Sequence, residues 1–111
     1  MQALDGVFHA LSDSTRRRVV QRLSRGPATV SELAEPFDMA LPSFMQHLRV
    51  LERSGLVASS KAGRVRTCRI RPREMLRAEN WIAEQRVLWE ERFDRMEAYL
   101  DGLQADEGAD D

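Results

Sequence analysis

A chain of 111 residues has room for one small domain with one modest core, and because small domains bury proportionately little surface, a partner chain would add to its stability. With 42% hydrophobic and 32% charged residues, and no uncharged run longer than Met39 to Leu48, it is expected to have no membrane-spanning helix, and its single cysteine excludes an internal disulfide. The net charge of −1 conceals a division: residues 1–72 hold twelve basic and six acidic residues, a net of +6, whereas residues 73–111 hold five basic and twelve acidic, a net of −7. Such polarity points the first part toward a polyanion and the second toward water or a protein.

The opening MQALDGVFHALSD lacks a basic stretch followed by a long apolar run, so no signal peptide is read and a cytoplasmic location is expected. Gln2 to Leu11 reads as a short amphipathic helix with Leu4, Val7, Phe8 and Leu11 on one side. In SDSTRRRVVQRLSRGP a second helix is capped by Ser12 or Asp13, carries Val19, Val20 and Leu23 as its apolar stripe, and stops at Gly26-Pro27. A brief third helix follows in TVSELAEPF, with Thr29 and Glu32 at capping-box spacing and an end near Pro36.

The fourth helix, LPSFMQHLRVLERSGLV, has the clearest division of faces. Leu41, Phe44, Leu48 and Leu51 follow the spacing of one apolar face, while Gln46, Arg49 and Arg53 project from the other. Pro42 suits its first turn, where a missing N–H costs nothing, and Gly55 suits the left-handed position after its end. LVASSKAGRVRTCRI then holds two short β-prone runs around KAGR, a hairpin with Gly63 at its tip and Lys61, Arg64 and Arg66 beside it.

Helical patterning resumes at about residue 73 and runs to about 103. Ile82, Trp89, Phe93, Met96, Leu100 and Leu103 step by 7, 4, 3, 4 and 3, close to a heptad, and Trp81, Leu88 and Tyr99 widen the stripe. This row predicts packing against a second copy of the chain. Residues 104–111 are acidic and poor in apolar side chains, and are expected to form a disordered tail.

Three short helices, a fourth that is polar on its outer face, and a basic hairpin give a mainly α fold with a small β-hairpin wing: a winged helix-turn-helix of order α-α-α-α-β-β-α. Residues 1–103 form one domain, including a dimerisation helix over about 73–103. The fold offers one helix to the DNA major groove and the hairpin to the neighbouring backbone or minor groove.

Within residues 4–72 the motifs LSDSTRRR, SELA, PSFMQHLRVL, SGLV and GRVRTCRI, in this order and spacing, resemble the ArsR/SmtB family of bacterial transcriptional repressors. The resemblance implies a homodimer joined through its first and last helices, binding a pseudo-palindromic operator. It places Ser43, Gln46 and His47 near base edges and Arg49 near phosphate or base. A helix-packing role for His47 stays open, since it flanks the apolar stripe. Gln46 suits a bidentate pair with adenine and Arg49 a pair with guanine. Lys61, Arg64 and Arg66 are expected on phosphates, with Thr29 and Ser31 adding bonds from the start of the third helix. Leu4, Phe8, Ile82, Trp89, Phe93, Met96 and Leu100 are the expected dimer contacts. Family members often have Ser, Gln and Ser where this chain has Ala40, Leu41 and Met45, which predicts more apolar contacts, to thymine methyl groups.

The family's soft-metal sites use paired cysteines in the third helix, and its other common site uses two histidines and carboxylates on the last helix; this chain has neither set, so no metal or cofactor is expected. Cys68 shares a face of the second wing strand with Ile70. It reads either as a small semi-buried apolar residue or as a redox-sensitive thiol made acidic by Arg66 and Arg69. There is no Gly-rich phosphate loop, no HExxH and no supported nucleophile set, so no enzymatic activity is expected. The expected partners are double-stranded DNA, a second copy and a small-molecule effector whose identity the residues do not give. The alternative is a winged-helix protein-interaction module that does not read DNA, although a protein-binding face would more often expose an apolar patch.

Overall fold

The computed structural model describes residues 2–109. In chain order it contains α1 (Gln2–Leu11), α2 (Ser14–Leu23), β1 (Ala28–Thr29), α3 (Val30–Ala34), α4 (Leu41–Arg53), β2 (Val57–Ala62), β3 (Val65–Ile70) and α5 (Pro72–Ala109). The expected helices and hairpin are present, and β1 is an addition to the expected order. It pairs antiparallel with β3, Ala28 opposite Cys68 and Thr29 opposite Thr67, making a three-stranded sheet of order β1-β3-β2. Two residues after Pro27, the second of them already the cap of α3, are too few to show a period-2 pattern.

Local chemistry sets the ends of these elements. Asp13 caps α2, its Oδ2 accepting the Arg16 backbone N–H at 3.1 Å. Thr29 caps α3 through Oγ1, which accepts the Glu32 N–H at 3.2 Å and donates its own hydrogen to Glu32 Oε1 at 3.1 Å. The capping box is therefore one-sided. α4 starts on Ala40 without a side-chain cap, the Ala40 carbonyl accepting the N–H groups of Ser43 and Phe44, and Pro42 lies in its first turn. Gly55, at φ +83°, turns the chain out of α4, and a Cβ there would stand 2.8 Å from Glu74 Cγ. In the wing, β2 and β3 close through Ala62 opposite Val65, leaving a two-residue turn of Gly63 (φ +64°) and Arg64. Positive φ at the first central residue only is the II′ pattern that suits the right-handed twist of a hairpin.

The compact unit ending at Ala78 has a core of Val7 and Ala10 from α1, Val19, Val20 and Leu23 from α2, Leu33 from α3, and Phe44, Leu48 and Leu51 from α4. Leu56, Val57, Cys68 and Ala78 complete it with Ala28. Each large apolar side chain buried here contributes roughly 1.5–3 kcal/mol, and the apolar faces read from α2 and α4 are the ones used, except that Leu41 in the first turn of α4 is exposed. Leu4 and Phe8 are half-buried and packed against this core.

A second unit begins at Glu79 and consists of the rest of α5. Ile82, Trp89, Phe93, Met96 and Leu100 are exposed by 49%, 62%, 61%, 57% and 50%. The helix continues to Ala109, so residues 104–109 are helical where a disordered tail was expected. Gln104, Ala105, Glu107 and Ala109 are good helix formers and no proline follows them, so a helix already nucleated upstream propagates through this acidic stretch despite Asp106 and Gly108. The remainder of the expected tail, 110–111, lies outside the described residues. No helix among the described residues is long and apolar enough to cross a membrane.

Candidate nucleic-acid interface

α4 builds the first half of the site. Burying Phe44, Leu48 and Leu51 to 1%, 1% and 0% exposure fixes the helix's rotation, and that rotation turns Ser43, Gln46, Arg49 and Arg53 to solvent. Gln46, Arg49, Val50 and Arg53 line a common cleft of about 340 Å³. Arg53 was outside the expected contact set, although its spacing from Gln46 and Arg49 places it in the same row. Leu41 is exposed at the start of the helix.

His47 is held differently. It is half-buried, and its Nδ1 lies 3.0 Å from Arg16 Nη1. A guanidinium has donors only, so in this contact Nδ1 is the acceptor. The same Nδ1 lies 3.7 Å from Asp13 Oδ2. Through its bond to Nη1 the ring packs α4 against Arg16 of α2.

The run Arg16-Arg17-Arg18 resolves into three separate roles, none of them a side-chain ion pair with Asp13. Arg16, 9% exposed, donates through Nε to Ala10 O at 2.8 Å and through Nη2 to His9 O at 3.1 Å. Arg17 Nη1 donates to Leu11 O at 2.9 Å. Together they bond the carbonyls of Ala10 and Leu11 at the end of α1 and add to the two bonds that His9 O accepts from Ser12. Arg18 lies over the Phe37 ring at 4.5 Å. Asp13 is partly desolvated, which raises its pKa, but the Arg16 N–H and the electrostatic effect of the neighbouring His47 and Arg16 side chains outweigh this and hold the carboxyl below its ordinary value.

The second half of the site is the wing with the start of α3. Thr29, Ser31, Lys61, Arg64 and Arg66, the five residues expected on phosphates, line one cleft of about 370 Å³ together with Val30, Met45 and Val65. The Thr29 hydroxyl is already engaged with Glu32, whereas Ser31 is exposed. Lys61 lies directly opposite Arg66 across the hairpin, with Arg64 in the turn between them. Like charges facing across strands destabilise a hairpin, and a bound polyanion would relieve that repulsion. Met45 and Val65 give this basic cleft an apolar floor that the charge pattern alone did not reveal.

Cys68 is fully buried. Burial pushes its thiol pKa up, the Glu52 carboxylate pushes it further, and Arg66 offsets this only in part. Of its two readings the structure supports the small apolar residue, because a protonated buried thiol is a poor nucleophile. Among the described residues no group of three or more His, Cys, Asp or Glu is placed to hold a metal ion.

Comparison with known proteins agrees with this arrangement. The sequence pattern of a helix-turn-helix domain matches residues 11–60, from the end of α1 into the wing. The HTH-type transcriptional regulator Rv2034 of Mycobacterium tuberculosis is 41% identical over 68 residues, covering 61% of this chain and 64% of that protein. The match therefore leaves about a third of that relative unaccounted for. The transcriptional repressor SdpR of Bacillus subtilis is 33% identical over 60 residues, covering 54% of this chain and 67% of the repressor. The crystal structure of an ArsR family transcriptional regulator is 61% identical, with a TM-score of 0.77 over 80% of this chain and 92% of its own. A two-faced α4, a basic wing beside α3 and this degree of likeness lead to one conclusion: the chain belongs to the ArsR family of winged helix-turn-helix transcriptional regulators.

Proposed function

We infer that this protein is a sequence-specific DNA-binding transcriptional regulator, acting in the cytoplasm as a homodimeric repressor on a pseudo-palindromic operator. The observation that carries the reading is the division of α4, whose buried face fixes the orientation of an exposed row of hydrogen-bonding side chains beside a basic wing. Ser43, Gln46 and Arg49 meet base edges in the major groove, with Arg53 extending the row. Gln46 offers a donor and acceptor pair to adenine, Arg49 takes guanine, and Leu41 and Met45 take thymine methyl groups. Lys61, Arg64, Arg66 and Ser31 contact phosphates, which position the domain and make affinity fall with salt.

The exposed row Ile82, Trp89, Phe93, Met96 and Leu100 supports dimerisation through α5, with Leu4 and Phe8 of α1 as further contacts between the two copies. Two copies related by a two-fold axis would set two α4 helices about one DNA turn apart. Repression is supported by likeness to a relative named as a repressor. The test is selection of bound duplexes from a random pool, followed by titration of the enriched duplex and a scrambled one at two salt concentrations. A palindromic product bound far above the scramble is expected. Absence of enrichment would overturn the reading in favour of a protein-interaction module.

A further inference from the structure

A long cation on an exposed hairpin is a poor phosphate ligand until it is held still, because fixing its rotamers on binding costs affinity. Of Lys61, Arg64 and Arg66 at the wing tip, Arg66 is held. Its Nη1 donates to Ser59 Oγ at 2.9 Å, and the Ser59 hydroxyl donates in turn to Glu52 Oε1 at 2.7 Å. A hydroxyl has one hydrogen; with that hydrogen committed to the carboxylate, only lone pairs face the guanidinium. The three residues come from α4, β2 and β3, so the bonds join the reading helix to both strands of the wing. In the hairpin register Ser59 lies opposite Cys68 and Lys61 opposite Arg66, which makes Ser59 the diagonal neighbour of Arg66 on the same face. Glu52 and Ser59 are half-buried and Arg66 is exposed, so order decreases outward along the chain. One of five guanidinium N–H groups is used on Ser59, and the others remain for a ligand at the cleft that Arg66 lines with Lys61 and Arg64.

We propose that Ser59, oriented by Glu52, is a positioning residue that presets the Arg66 guanidinium for a DNA phosphate and ties the wing to the recognition helix. The proposal rests on the DNA-binding reading above. Its test is titration of the protein and its variants with the selected duplex across a series of salt concentrations. Ser59→Val and Ser59→Thr are nearly equal in shape, suit a strand, and differ in the hydroxyl. Ser59→Val is expected to bind about 3- to 10-fold more weakly with an unchanged salt slope, because a free Arg66 still neutralises its phosphate at a greater entropic cost. Ser59→Thr is expected to bind as wild type. Arg66→Ala should weaken binding and lower the slope by about 0.9. The double variant Ser59→Val/Arg66→Ala should bind no more weakly than Arg66→Ala alone, since Ser59 acts only through Arg66. Equal or tighter binding by Ser59→Val, or a Ser59→Val loss that persists in the Arg66→Ala background, would overturn the proposal while leaving the DNA-binding reading intact. A wild-type chain that binds no duplex would overturn both.

Discussion

The unit ending at Ala78 and the helical unit after it use apolar side chains in opposite ways. In the first, Val7, Phe44, Leu48, Leu51 and Leu56 are buried within the chain and the exposed surface is basic. In the second, Trp89, Phe93, Met96 and Leu100 are exposed in a repeating row flanked by acidic residues. Similar residue types thus serve folding in one region and an expected association in the other, and what separates them is whether their spacing is matched by a partner within the chain. Charge follows the same boundary: a basic surface accompanies the region expected to meet DNA, and an acidic one lowers the chance that the association helix also binds it.

The largest expected effect breaks the second region while sparing the first. Phe93→Glu combined with Leu100→Glu should convert the protein to a single-chain species in sedimentation and reduce operator affinity by about 10²–10⁴, the avidity lost when two linked sites become one. The far-ultraviolet signal of the remaining fold should persist. Conversely, Leu48→Ala removes a buried side chain from the first region. It should cost about 2–5 kcal/mol in denaturant unfolding, with operator binding lost in proportion to the unfolded fraction.

Within the first region the two halves of the site separate by sequence dependence. Gln46→Ala should lower discrimination at one operator base pair by about 1–3 kcal/mol, whereas Arg64→Ala should weaken all duplexes alike and reduce the salt slope by about 1. Titrations against operator, single-base variants and scramble read both. The smallest effect is at the α2 cap. Asp13→Ala should cost about 1 kcal/mol at neutral pH. Because the folded carboxyl titrates below its ordinary 3.8, that contribution is fully present above 3.8 and is lost as pH falls through the depressed folded value, so variant and wild type should converge only in strong acid.

Much of this was legible before the structure, and what was legible was local. The stripe of α4, its proline at the start and Gly55 at its end are matters of spacing along one helix, and they placed Gln46, Arg49 and Arg53 on the outer face. The five residues expected on phosphates meet at one cleft because a hairpin tip and a helix start are each recognisable from turn and cap chemistry. What could not be read depends on packing between elements. The roles of Arg16 and Arg17 depend on α1 ending against them, and the identity of the Arg66 partner depends on how far β2 lies from α4. His47 sat on the border of the stripe, where a change of tens of degrees in helix rotation decides between packing and display. The helix beyond residue 103 was missed because composition was weighed over propagation from an established helix.

The buried guanidinium of Arg16 has a practical consequence for anyone who would alter the specificity of this protein by exchanging recognition helices. It fastens α1 through two carbonyl oxygens and α4 through one imidazole nitrogen, and its own backbone N–H is taken by Asp13. A foreign helix lacking an acceptor at position 47 would leave one arm of a desolvated cation without a partner and would settle at a different tilt. Asp13, Arg16 and His47 are therefore one transplantable unit, and grafts that move the outward row without this inward triad would change the grip of the domain before they changed the letters it reads.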